Sequence, residues 1–137
     1  VQLSILQSFD PALHLAAGRA LAPVRDEGVL IVSSGLPSYH DLSAMGRASE
    51  APSRTFDEWL TETMVETAGE ERSGRLLHWD SAPAARSAHP REDHFMPLLV
   101  AAGAAEGEPG VRNYHEKNSL GGHTTSSAYR LGVPATA

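Results

Sequence analysis

The chain has 137 residues, with 11 Lys and Arg against 17 Asp and Glu for a formal net charge of −6, and it has no cysteine. That length allows one domain or part of one, the acidic balance speaks against a nucleic-acid backbone or an anionic membrane as partner, and the missing thiols exclude disulfides and fit a reducing, cytoplasmic setting. No apolar run approaches the ~20 residues of a membrane span, and no secretory leader is visible.

The chain opens inside an alternating pattern. Val1, Leu3 and Ile5 alternate with Gln2 and Ser4, as in a half-buried strand. A terminus inside a core element is unusual, so the expectation is that the sequence starts within a larger domain. Asp10-Pro11 marks a helix start, and Leu13, Ala16, Ala17, Ala20, Leu21 and Val24 recur at helical spacing. Pro23 predicts a kink or a loosened last turn, and Gly28 a left-handed cap. Val29 to Val32 (VLIV) reads as a strand covered on both faces. Strand, helix, strand with short links predicts a parallel βαβ unit, hence an α/β fold with a central, mostly parallel sheet flanked by helices.

Ser33-Ser34-Gly35 breaks the second strand at its C-terminal end, where open α/β sheets bind ligands, and His40 follows. Residues 43–55 are small, polar and Pro-containing, which predicts a loop. Thr55 and Glu58 form a capping-box pattern ahead of Phe56, Trp59, Leu60, Thr63, Met64 and Thr67. Arg75 to Trp79 continues as a helical turn or two, and Ser81 to Arg91 is a loop. His94 to Ala105 reads as a helix, Glu106 to Gly110 as a turn, and Val111–Glu116 and Ser126–Leu131 as closing strands around Gly121-Gly122. No phosphate-binding glycine fingerprint and no G-x-S-x-G elbow occurs.

Seven histidines are many for this length, a hint of metal or proton chemistry. His40 lies in a loop beyond a strand, where a ring of ordinary pKa near 6.5 suits a general base or a ligand; the alternative is a loop histidine with one hydrogen bond. His94 lies at a loop-to-helix junction. The positive helix end keeps its ring neutral and able to ligate, and the alternative is a cap or an exposed ring. Two histidines make half a site, because a catalytic metal normally has three protein ligands. His89 and His94 do not share a helical face, so His89 is expected to shape the pocket edge. Glu92 and Asp93 could help charge the site, with polar surface the plainer reading. His123, beside two glycines, is exposed or pocket-lining.

Three segments carry a resemblance: VQLSI, ALAPVRDEGVLIVSSGLPSYHDL and APAARSAHPREDHFMPLLVAAGAA. Together they resemble the C-terminal half of class III extradiol ring-cleavage dioxygenases, closest to the 4,5-DOPA dioxygenase type, often grouped under the catalytic B-subunit name. The similarity is colinear over nearly the whole chain. It implies an α/β fold with one divalent metal, Fe(II) for dioxygenation and alternatively Zn(II). It also implies a small catechol and O₂ as substrates. His94, in the PREDH run, matches a metal ligand. His40, in the SGxxxxH run, matches the acid/base near the bound catecholate.

Two departures stand out. Asp41 replaces the family's usual Asn after His40, which would raise the pKa of His40 or alter substrate preference. The family's other two metal histidines lie in motifs resembling HGSP and SAHW, and neither occurs here. The expectation is therefore that residues 1–137 form the C-terminal portion of the catalytic domain, with a missing N-terminal half or self-association covering its sheet. On this expectation His40 is catalytic, His94 binds metal, and His89, Asp41 and His123 face the substrate. The rival readings are a non-catalytic α/β interaction module of the same fold and a hydrolase or Zn-dependent lyase.

Overall fold

The computed structural model describes residues 1–132 as a mixed α/β arrangement of helices and one antiparallel hairpin. Helix α1 spans Pro11–Asp26 and starts as its sequence dictates. Asp10 Oδ1 accepts from the N–H groups of Ala12 (2.8 Å) and Leu13 (3.2 Å), and Pro11 has no N–H to leave unpaired. The helix runs on past Pro23, and Gly28, at φ 82°, turns the chain out of it. His14 ties the preceding segment down. Its Nδ1–H donates to the Asp10 carbonyl (2.7 Å) and its Nε2 accepts from the Leu6 N–H (3.1 Å).

Neither apolar run flanking α1 forms a strand. Val1–Ile5 and Val29–Val32 have no ladder partner among the described residues, and Leu30 and Val32 are 83% and 77% exposed. A strand exists by its hydrogen-bonded neighbours. β-branched composition made these runs strand-like, but composition supplies no neighbour. The parallel pair expected from the sequence is absent among the described residues.

Helix α2 spans Arg47–Thr61, starting well before the predicted Thr55. The Ser49 hydroxyl donates to the Gly46 carbonyl (2.7 Å) and accepts from the Gly46 N–H (3.3 Å), capping the helix from within the stretch expected as loop. Pro52 sits inside α2 and costs one intrahelical bond, in an exposed first part where water can take the freed carbonyl of Ala48. The buried face is Ser49, Ser53, Phe56, Asp57 and Leu60. A π-helical turn (Glu62–Glu66) follows, then α3 (Gly69–Leu77), a 3₁₀ turn (Trp79–Ser81) and one helical turn, α4 (Ala85–Ala88), inside the predicted 81–91 loop.

Helix α5 begins at Met96 and ends at Ala104, leaving His94 in the turn ahead of it. Helices α1 and α5 cross with their backbones in contact. A Cβ at Gly18 would collide with the Val100 carbonyl, and one at Gly103 with the Leu15 carbonyl. The core centres on Leu15, Phe56, Leu60, Met64, Leu76, Trp79, Phe95, Met96 and Leu99.

Strands β1 (Gly110–Ser119) and β2 (Thr124–Leu131) pair antiparallel from Gly110↔Leu131 to Ser119↔Thr124, with irregularities after Arg112 and Glu116. Leu120, Gly121 and Gly122 all take positive φ in the connecting turn, as the two glycines predicted. Polar groups hold the hairpin to α2: the Thr125 N–H donates to Ser53 Oγ (2.7 Å), and Thr61 Oγ1 and the Tyr129 hydroxyl share a bond of 2.9 Å.

Ion pairs staple α1 to the segment after α5. Arg19 bonds Glu106, and Arg25 bonds Glu108. Hydrogen bonds from Arg19 and then from Ser73 hold the Glu106 carboxyl down at about 2, against an ordinary 4.5. A depressed carboxylate stabilises the fold above its unfolded value and loses that contribution as pH falls through its folded value. Wild type should therefore lose more stability than Glu106→Gln between pH 5 and pH 2, by about 1 kcal/mol because Arg19 is half exposed. Urea midpoints at the two pH values check this, and equal losses in both proteins would refute it.

Candidate metal centre

The site forms where two irregular segments meet, residues 33–41 after the Val29–Val32 run and residues 88–95 between α4 and α5. Backbone contacts fix the meeting. The His40 N–H donates to the Ala88 carbonyl at 2.7 Å. Gly35 lies against the His94 carbonyl, where any Cβ would collide with it. From behind, His89 Nε2–H donates to the Pro37 carbonyl at 2.8 Å. The Ser38 hydroxyl accepts from the Ser127 N–H of β2 at 2.9 Å, tying the same loop to the hairpin.

This junction stacks the rings of His40 and His94, with centroids 3.4 Å apart and planes inclined by 15°. Asp93 joins them, and one donor atom from each of His40, Asp93 and His94 lies within 4.8 Å of the others. Two of the atoms here are buried without a hydrogen-bond partner, Asp93 Oδ1 and His94 Nδ1. A buried acceptor without a partner is costly, and two such atoms on residues of one ligand-type cluster fit a cation. Two histidines and a carboxylate are also a donor set that suits a divalent transition metal. The residues present therefore fit the metal that the resemblance implies.

Burial lowers the pKa of His40, with the neighbouring His94 ring adding to the effect; Asp93 and Asp41 oppose it more weakly. Asp41 faces elsewhere for hydrogen bonding, its Oδ1 accepting from both the N–H (3.0 Å) and the hydroxyl (2.6 Å) of Ser43. His89 is fully buried, packed edge-on to Phe56 and Trp79 and tilted against Phe95. Burial pushes its pKa down to about 4. The sequence placed it at a pocket edge, but inside this aromatic cage its ring meets no opening. His123 lies 3.9 Å from Glu50 and joins neither ring of the stacked pair. Asp93, which the sequence assigned more readily to surface than to the site, belongs to the cluster. Its adjacency to His94 was the available signal.

An open groove of about 650 Å³ lies elsewhere, between α1 and the end of α5. Its two arginines are already paired with Glu106 and Glu108, so it offers no unpaired cation to an anionic ligand.

Residues 4–132 match the family described as the catalytic LigB subunit of aromatic ring-opening dioxygenase. Among curated relatives, the chain is 38% identical over 132 residues to dioxygenase tasH of Hapsidospora irregularis, covering 85% of this chain and 40% of that protein. It is 39% identical to the 4,5-DOPA dioxygenase extradiol of Beta vulgaris, covering 76% and 38%, and 34% identical to the Escherichia coli protein of the same name, covering 79% and 41%. The chain thus spans about two-fifths of the length of these relatives. In fold it is similar to the crystal structure of an uncharacterized protein of Escherichia coli K12, with a TM-score of 0.67 at 24% identity, covering 89% of this chain and 50% of that one. With its match running through both histidine-bearing segments, the chain belongs to the family of the catalytic LigB subunit of aromatic ring-opening dioxygenases.

Proposed function

We propose that His40, Asp93 and His94 are this chain's share of a non-heme metal site for extradiol cleavage of a catechol by O₂. The observation that carries this reading is the clustering of His40, Asp93 and His94 from two segments, with Asp93 Oδ1 and His94 Nδ1 buried and unpartnered. His94 and Asp93 would hold the ion, with Fe(II) favoured and Zn(II) the alternative. When bound, such an ion supplies a Lewis-acid centre with open positions that removes the entropic cost of bringing catecholate and oxygen together.

The protein's own groups supply the proton chemistry. The lowered pKa of His40 leaves its ring unprotonated at neutral pH, free to take a proton from a catechol hydroxyl and return one as the ring opens. Asp41, held by Ser43, orients the chain beside His40. The aromatic cage of Phe56, Trp79 and Phe95 keeps water from the rear of the site. The names of the relatives favour a catechol such as DOPA as substrate.

The same reading assigns residues 1–137 to the C-terminal portion of a catalytic domain. Its remaining ligands, and the strands that pair Val1–Ile5 and Val29–Val32 into a parallel sheet, would come from further polypeptide. Support comes from the share of each relative that the chain spans and from the exposure of Leu30 and Val32.

The test is titration of the 137-residue chain with Fe(II) under argon, followed by oxygen consumption with a catechol. Weak, exchangeable binding is expected, sensed by the side-chain resonances of His40 and His94, with catechol-dependent oxygen uptake only in a longer polypeptide that supplies the missing ligands. Histidine signals unmoved by millimolar Fe(II) would sink the reading.

A further inference from the structure

The two segments that meet at the stacked rings belong to different parts of the chain, and few side chains bridge them. His89 is one. It sits five residues before His94 on one segment and donates to Pro37, three residues before His40, on the other. We propose that His89 is a positioning residue, its Nε2–H holding the His40 loop at a fixed distance from Asp93 and His94. This rests on the reading of those three residues as a metal site.

Three observations support the assignment. First, the bond to the Pro37 carbonyl fixes the tautomer: Nε2 carries the proton, and the bare Nδ1 is buried without a partner. A side chain chosen for packing alone would not bring an unsatisfied nitrogen into the core, because that nitrogen costs stability. Second, the ring is clamped on several sides by Phe56, Trp79 and Phe95, with centroids between 5.2 and 5.9 Å, so its Nε2 has little freedom to follow a drifting loop. Third, among the described residues the charge-bearing side chains acting on the buried ring are His40, His94 and Asp93, which places it directly behind the site. Burial keeps the ring neutral across the neutral pH range, so the clamp does not switch with pH there.

Glutamine places an amide nitrogen near the position of the imidazole Nε2, whereas asparagine is too short to reach Pro37 and leucine has no donor. The variants His89→Leu, His89→Asn and His89→Gln therefore separate positioning from packing. Thermal unfolding reports the fold. The ring-current shifts of His40 and His94 in the metal-free chain report their stacking. Co(II) titration reports the donor set.

The Leu and Asn variants should fold, lose the mutual ring shifts and bind Co(II) about tenfold more weakly, the scale of losing an outer hydrogen bond at a metal site. Gln should restore both readouts. If the Leu variant does not fold, Asn carries the comparison. Stacking shifts and Co(II) affinity unchanged in the folded Leu or Asn variant would overturn the proposal, as would a Gln variant that restores neither. Loss of stacking in a chain that binds no Co(II) even as wild type would uphold the clamp and refute the metal site.

Discussion

His94→Ala should abolish measurable binding of a divalent transition metal, weakening it by more than about 100-fold, because it removes a ligand rather than one of the outer contacts whose loss costs ~10–100-fold. His40→Ala should weaken binding by only about tenfold, the scale of an outer contact, and remove ring opening in a longer polypeptide that supplies the remaining ligands. The asymmetry follows from the geometry. His94 Nδ1 is buried without a protein partner, and so is Oδ1 of the adjacent Asp93, whose other oxygen lies 3.8 Å from Arg91 Nε, so these two atoms are the ones open to an ion. His40 lies across the stack with a depressed pKa, the condition of a base awaiting a proton. Isothermal titration with Zn(II) or Co(II) separates the two. The opposite ranking, with His40 indispensable for the ion and His94 dispensable, would reverse the proposed roles.

Phe95→Ala should destabilise the fold by about 3–5 kcal/mol, the usual cost of emptying a large aromatic site in a core. Phe95 is fully buried, with Trp79 at 4.8 Å, His89 at 5.2 Å and Phe56 at 5.8 Å between ring centroids. A small domain has only about 5–15 kcal/mol in reserve, so the variant should be largely unfolded at physiological temperature. Because residue 95 follows His94 directly, loss of the cage should also free the site. Phe95→Leu, which refills much of the volume, should lose less than half as much. Chemical denaturation monitored by the fluorescence of Trp59 and Trp79 checks both, and an alanine variant within about 1 kcal/mol of wild type would show that the cage collapses to fill the gap.

Helix ends and tight turns were legible because their signals are local. Asp10-Pro11 and Gly28 bounded α1, and Gly121-Gly122 marked the hairpin turn. The start of α2 was not legible: Pro52 and a run of small polar residues argued for a loop, while the cap that decides the matter is a Ser49 hydroxyl bond to Gly46. The strand assignments at Val1–Ile5 and Val29–Val32 rested on side-chain pattern, which specifies a face and supplies no neighbour. At the site, His40 and His94 could be singled out as rings beyond core elements, but their stacking depends on contacts spanning some fifty residues of sequence. Asp93 stayed hidden because a carboxylate in a charged run looks like surface until its buried oxygen is seen to lack a partner. The burial of His89 was hidden for the same reason, since the aromatic cage comes from three separate elements.

The close approach of Gly35 to the His94 carbonyl has a consequence for variation at the centre. Main-chain atoms set the span between the two loops there, so exchanging the donors themselves would change which cation is preferred while leaving the aperture the same. A single methyl group at position 35 would act as a wedge, altering the aperture with every donor intact. At the proposed metal site, selectivity by chemistry and selectivity by size would thus be under the control of different codons.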